Sequence, residues 1–130
     1  MLMTREMDYA LRVLRALYRD GQLSAGAIAE QEHMPKTITL KILKRLRSVG
    51  LVSSRRGPTG GYLTCRPCEG LCLGDLFQAL GEPVYLNRCQ QPDYRCENRQ
   101  EAGCGLCREL TRIQSVLDGG LRKTPLSEMF

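Results

Sequence analysis

Met7, Ala10, Leu11, Leu14, Leu17 and Tyr18 recur at the i, i+3, i+4, i+7 spacing of a helix with one apolar face. The pattern predicts a first helix that begins near Thr4 and stops at Asp20-Gly21. Ser24 is a candidate N-cap for a short second helix through Glu32, with Ala27 and Ile28 turned inward, and His33-Met34-Pro35 breaks it. Pro35 suits the first turn of a third helix, striped by Ile38, Ile42, Leu43, Leu46 and Val49 and stopped by Gly50. Leu51 to Arg55 and Tyr62 to Cys65 read as short strands, and Gly57-Pro58-Thr59-Gly60-Gly61 between them supplies the fixed or positive φ of a hairpin turn. Leu73, Leu76, Phe77 and Leu80 predict a fourth helix running to Gly81. Leu106, Leu110, Ile113 and Leu117 form a narrow stripe on a fifth, which Gly119-Gly120 should end before a last turn opened by Thr124-Pro125.

Three helices followed by a hairpin is the order of a winged helix-turn-helix, in which the third helix enters the major groove and the wing touches backbone or minor groove. The bland alternative is a small α+β domain with an incidental hairpin. The expected fold is mainly helical with a small β-hairpin wing and a long C-terminal helix. The chain divides into a winged unit at 1–82, a loop at 83–104 and a C-terminal helix and turn at 105–130. The stripe on the last helix either covers the N-terminal unit or meets a second copy. The second option gains weight because helix-turn-helix proteins normally read two half-sites of a palindromic operator as symmetric dimers.

Composition narrows the class. With 42% apolar and 25% charged residues in 130, disorder and low-complexity architectures are excluded. No apolar run approaches the roughly 20 residues that cross a bilayer, and no signal-peptide core opens the chain, so a cytoplasmic protein without a membrane partner is expected. The net charge is +5, yet Lys36, Lys41, Lys44, Arg45, Arg47, Arg55, Arg56 and Arg66 fall in a stretch without a single acid, so the rest of the chain is net acidic. A regional patch of this kind is either a solvated face or the footprint of a polyanion, and its place on the third helix and hairpin favours duplex DNA. Candidate contacts are Lys36, Thr37, Thr39, Lys41, Lys44 and Arg45 on the helix, with Arg55, Arg56, Thr59, Gly60 and Tyr62 on the wing.

Seven cysteines, an odd count in a presumed reducing compartment, point to metal or redox chemistry rather than a disulfide framework. Cys89, Cys96 and Cys104 lie in a loop of about twenty residues, a length that is usually functional or disordered, and Cys107 follows three residues after Cys104. Thiolates suit iron-sulfur clusters and zinc alike. A zinc ribbon expects two close pairs, whereas only Cys104 and Cys107 are paired here, so the loose spacing permits a larger cluster. Cys65 reads as a small strand hydrophobe and Cys72 as a helix N-cap, although Cys65-x-x-Cys68 could join Cys104-x-x-Cys107 around zinc.

Asp8-Tyr9-Ala10-Leu11-Arg12, Ile42-Leu43-Lys44-Arg45-Leu46-Arg47 followed by Gly50-Leu51-Val52, Arg56-Gly57-Pro58-Thr59-Gly60-Gly61-Tyr62, Leu73-Gly74-Asp75-Leu76 and the three loop cysteines together resemble the Rrf2 family of bacterial transcription regulators. The resemblance runs in order over nearly the whole chain. It implies a homodimeric winged-helix repressor, with Cys89, Cys96 and Cys104 ligating an iron-sulfur cluster of the 2Fe–2S or 4Fe–4S type and the long C-terminal helix forming the dimer interface. Two departures stand out. Thr39-Leu40 replaces a Leu-Glu pair found in many relatives, so an acidic base-reading contact does not transfer. For the fourth ligand, Cys107 falls where some members have a histidine and Asp8 where others have an aspartate. Cys107 is favoured, because near a helix start it shares a face with Cys104 and thiolate softness suits iron-sulfur ligation. Asp8 would have to reach the cluster through tertiary folding, across the dimer.

The reading is a DNA-binding regulator that senses redox state, nitric oxide or iron-sulfur supply. Rivals are a zinc-stabilised DNA-binding protein without sensing, and an iron-sulfur carrier or electron-transfer protein, which would not need the acid-free basic segment. An enzyme is not expected: there is one His, no phosphate loop, and a Cys-x-x-Cys without βαβ context.

Overall fold

The computed structural model describes residues 2–97 and 103–130; residues 98–102 of the cysteine loop lie outside them. Helix α1 spans Arg5–Asp20, and its N-terminus is capped by the Thr4 hydroxyl, which accepts from the Met7 N–H at 3.2 Å. Gly21 ends it at φ 74°, a backbone conformation that disfavours any residue with a Cβ. Helix α2, Ala25–Gln31, starts with Ser24 Oγ accepting from the Ala27 N–H at 3.1 Å. Helix α3, Lys36–Ser48, follows Pro35 after a tight turn in which His33 is the one non-glycine residue with positive φ among the described residues. Buried Glu32 closes that turn onto α1 by accepting from both the Nε and the Nη2 of Arg15, and such pairing is what makes a carboxylate tolerable at that depth.

Strands β1 (Val52–Arg55) and β2 (Gly61–Thr64) pair antiparallel, Val52 opposite Thr64 and Arg55 opposite Gly61. The hairpin is anchored by a contact invisible to local patterning. Leu23 and Tyr62 exchange both backbone hydrogen bonds, at 3.0 and 2.7 Å, which stitches the wing to the segment before α2. Gly61 permits this approach, since a Cβ there would lie 2.7 Å from the Leu23 carbonyl oxygen.

Helix α4, Leu73–Ala79, begins at Cys72, whose backbone N–H and thiol both donate to the Asp75 carboxylate, at 3.1 and 3.0 Å. Helix α5 spans Gly105–Lys123. The expected stop at Gly119-Gly120 does not occur. Neither glycine adopts a positive φ, and the helix continues because Leu121 packs against the core and Arg122 pairs with Asp75 at 3.2 Å. Those contacts offset the roughly 1 kcal/mol that each interior glycine costs relative to alanine.

Met7, Val13, Leu14, Ile28, Ile42, Leu43, Leu46, Leu76 and Phe77 build one core from α1 to α4. The C-terminus completes it. Leu126 is fully buried and its N–H donates to the Leu71 carbonyl at 2.8 Å, while Arg19 Nε donates to the Phe130 carbonyl at 2.7 Å. Residues after α5 therefore belong physically to the N-terminal core. Leu106 and Ile113 of the stripe remain exposed, at 66% and 39%, so the stripe is not consumed in covering the N-terminal unit.

Candidate nucleic-acid interface and cysteine cavity

The outward face of α3 carries Lys36, Thr37, Leu40, Lys41, Lys44 and Arg47, all exposed. The wing tip adds exposed Arg55, Arg56 and Thr59, and its turn is braced by the Gln22 side-chain amide donating to the Thr59 carbonyl. Among the described residues Lys36, Lys44, Arg47, Arg55 and Arg56 make no ion pair within the chain, which leaves their charge available to a polyanion. The face is thus one continuous cationic ridge and wing.

Four further residues expected to contact DNA are buried or engaged within the chain. Thr39 is wholly buried, and its hydroxyl donates to the Pro35 carbonyl at 3.2 Å, the back-bond of a threonine inside a helix. Arg45, half-buried, joins a polar knot: it pairs with Glu6 at 2.6 Å and Glu82 at 3.2 Å and donates to the Leu80 carbonyl. The Arg45 hydrogen bond holds the Glu6 carboxyl below its ordinary range, and Glu6 in turn raises the guanidinium. Gly60 spends its N–H on the Gly57 carbonyl at 2.9 Å, and Tyr62 is half-buried against the core. Sequence reasoning placed Arg45 outside because helix periodicity cannot reveal that Glu6 and Glu82 arrive beside it from α1 and from the residues after α4.

The second feature is a cavity of about 1170 Å³ at the N-terminal end of α5. Cys89, Cys96, Cys104 and Cys107 all line it. Cys104 is the cap residue of α5 and Cys107 lies in its first turn, while Cys89 sits in a single 3₁₀ turn, Arg88–Gln90. The Gln90 side-chain amide reaches the sulfurs of Cys89 and Cys107, at 3.5 and 3.9 Å, so these two thiols converge on one donor. Arg95 and Arg108 also line the cavity and offer positive charge beside the thiols. Among the described residues no three His, Cys, Asp or Glu side chains gather closely enough to hold a single metal ion.

Buried Gln114 fastens this region to α5. Its carbonyl oxygen accepts from the Leu86 N–H at 2.9 Å, and its amide donates to the Val84 carbonyl and to Asp118, both at 2.8 Å. The remaining cysteines are elsewhere. Cys65 is exposed on the hairpin side, and Cys68 and Cys72 are buried in the core. Burial first, and then the neighbouring Glu69 or Asp75, pushes both buried thiols up, disfavouring the thiolate a metal requires. Asp8 pairs with Arg12 at 3.0 Å and does not line the cavity within one chain. Gln90 escaped the sequence reading, because it is defined by its neighbours in space, and Leu40 entered it only as a departure from the Leu-Glu pair of many relatives.

Known proteins resemble the chain throughout its length. A family model described as Rrf2, iron-dependent transcriptional regulator, matches residues 3–130. A Haemophilus influenzae protein assigned as an HTH-type transcriptional regulator is 32% identical over 126 residues, covering 91% of this chain and 81% of that one. The HTH-type transcriptional regulator IscR of Escherichia coli is 36% identical over 70 residues, 54% of this chain but only 43% of IscR. Among solved structures, CymR, the global cysteine regulator of B. subtilis, superposes with a TM-score of 0.77 at 25% identity, covering 99% of this chain and 95% of CymR. The T. potens IscR structure, at TM-score 0.67 and 20% identity over 99% of this chain and 85% of its own, shares the fold. These relatives are transcriptional regulators, not enzymes, and no helix among the described residues is long and apolar enough to cross a membrane.

Proposed function

The chain belongs to the Rrf2 family of DNA-binding transcriptional regulators, and from that membership we propose that it is a cytoplasmic homodimeric repressor whose DNA affinity follows the state of an iron-sulfur cluster held by Cys89, Cys96, Cys104 and Cys107. The observation that carries the reading is that these four thiols line one cavity, in a chain that also presents an exposed cationic helix and wing. The donor set fits the group: thiolates are the usual ligands of iron-sulfur clusters, and four of them spread round a wide cavity suit a multinuclear centre better than one tetrahedral zinc. When bound, such a cluster supplies sensitivity to redox state, to nitric oxide or to iron-sulfur supply.

The chain's own residues account for the rest. Lys36, Lys41, Arg55 and Arg56 neutralise phosphates and set register, with Thr37, Lys44 and Thr59 as hydrogen-bonding partners at the same surface. Leu106, Ile113 and Val116 form the exposed face of α5 that a second copy covers, giving the two-fold symmetry that a palindromic operator requires. Within the chain, Gln114 ties the root of the cysteine loop to α5 and Arg45 ties it to α3, so the loop is braced against both the dimer helix and the DNA-reading helix.

The test is anaerobic purification with visible and electron paramagnetic resonance spectra, iron, sulfide and zinc analysis, and selection from random duplexes by loaded and stripped protein. Iron and sulfide in equal measure, lost in Cys89→Ser, Cys96→Ser and Cys104→Ser, is the expected result. Stoichiometric zinc requiring Cys65 or Cys68 would overturn the cluster reading, and enrichment of no sequence would overturn the regulator reading.

A further inference from the structure

Helix α3 presents a stripe of six exposed residues, Lys36, Thr37, Leu40, Lys41, Lys44 and Arg47. At 3.6 residues per turn, Lys36 and Arg47 fall along one edge of that stripe and Lys41 along the other. Thr37, Leu40 and Lys44 lie nearest its midline. A helix seated in the major groove points its midline at base edges and its flanks at the two phosphate strands, so the edges of this stripe match the backbone in charge and its midline meets the bases. Lys41 is further held at its edge by Glu6, 3.7 Å away on α1.

Leu40 is the anomaly on this midline. It is 44% exposed, although the helix buries Ile42, Leu43 and Leu46 on its other side, and it contributes nothing to the core. A leucine side chain has neither donor nor acceptor and therefore cannot read the polar pattern of a base pair. The floor of the major groove offers one apolar group in ordinary DNA, the C5-methyl of thymine. The cationic residues on both flanks favour a polyanion with an apolar spot at its centre over a hydrophobic protein partner.

We propose that Leu40 is a specificity-determining residue that packs on a thymine methyl in each operator half-site, so that this regulator selects thymine at one position by apolar contact rather than by hydrogen bonding. The inference rests on the DNA-binding reading above and adds to it the identity of one base. A 5-methylcytosine presents the same methyl at the same place and satisfies the same contact.

The experiment selects duplexes from a random pool with the full-length protein, then replaces each thymine of the enriched site by uracil, one at a time, for wild-type and Leu40→Ala. One thymine per half-site should be sensitive, its replacement weakening wild-type binding about fourfold, the weight of one buried methyl. Leu40→Ala should be indifferent to that same replacement. Arg56→Ala, as a control, should weaken binding to every sequence and keep the uracil effect. Because Leu40 is exposed, Leu40→Ala should melt with wild type, which separates loss of reading from loss of fold. An enriched site insensitive to uracil, or equal uracil sensitivity in Leu40→Ala, would overturn this inference while leaving the regulator reading intact. Enrichment of no sequence by wild type would overturn both.

Discussion

Arg45, on the helix that carries the cationic ridge, and Glu82, among the first residues after α4, form an ion pair at 3.2 Å. The same carboxylate accepts from the Thr4 hydroxyl at 2.9 Å, and the same guanidinium holds Glu6 and the Leu80 carbonyl. One side chain therefore joins α1, α3 and the entry to the cysteine loop. Its charge is largely matched by two carboxylates, although the side chain keeps 31% exposure.

Arg45→Met should accordingly lower stability and leave the salt dependence of DNA binding unchanged. Loss of a guanidinium that serves three acceptors is expected to cost on the order of 1–3 kcal/mol, read by urea unfolding. Lys36→Ala should do the opposite, sparing stability but lowering the slope of log affinity against log salt by about one. A lowered slope in Arg45→Met would place that residue on a phosphate instead.

The Glu6–Arg45 pair also makes stability depend on acid. Glu6 has a carboxyl held down in the folded state by the Arg45 hydrogen bond, so the unfolded chain binds its proton more readily. The pair's contribution is fully present above the ordinary glutamate value of about 4.3 and disappears as pH falls below that value through the lower folded one. Unfolding free energies measured from neutral pH down to this acidic window should drop less steeply in Glu6→Gln than in wild type. Parallel profiles would remove Glu6 from the acid response.

Gln90 aims its amide at the sulfurs of Cys89 and Cys107, with Thr111 beside it at 3.2 Å from its carbonyl oxygen. Hydrogen bonds to ligand sulfur stabilise the more negative, reduced form of a cluster and raise its potential. Gln90→Leu should keep the visible spectrum of the anaerobic protein and lower its reduction potential, measured by redox titration. Cys107→Ser should lose or alter the spectrum, and Asp8→Ala should not. An unchanged Cys107→Ser with an altered Asp8→Ala would move the fourth ligand to α1 of the partner.

Leu126 is fully buried, although the chain reaches it only after the 19 residues of α5. Leu126→Ala should destabilise the winged unit by about 2–5 kcal/mol, the range for truncating a packed leucine. Thr124, beside it and only half-buried, should tolerate Thr124→Ser with little change. If Leu126→Ala melts like wild type, the C-terminal turn docks more loosely than its burial implies.

Features decided within a few residues were legible in the sequence. The starts of α1 and α2 follow from Thr4 and Ser24 as caps, their apolar faces from the spacing of Met7, Ala10, Leu14, Leu17 and Ile28, and the hairpin from the Gly-Pro-Thr-Gly-Gly turn, because caps, helical period and turn chemistry are local. The cysteines announced soft-ligand chemistry by type alone. What required the tertiary structure was everything set by a partner far along the chain. Gly119-Gly120 stays helical because Leu121 and Arg122 find the core and Asp75; Arg45 is held by Glu6 and Glu82; the wing is pinned by Leu23; and Leu126 fills a core built from residues 7 to 80. Spacing could not say that Cys89, Cys96, Cys104 and Cys107 share one cavity, since a loop fixes which residues are near only through what anchors its ends. Here those anchors are Arg45 and the buried Gln114, and both act through space rather than along the chain.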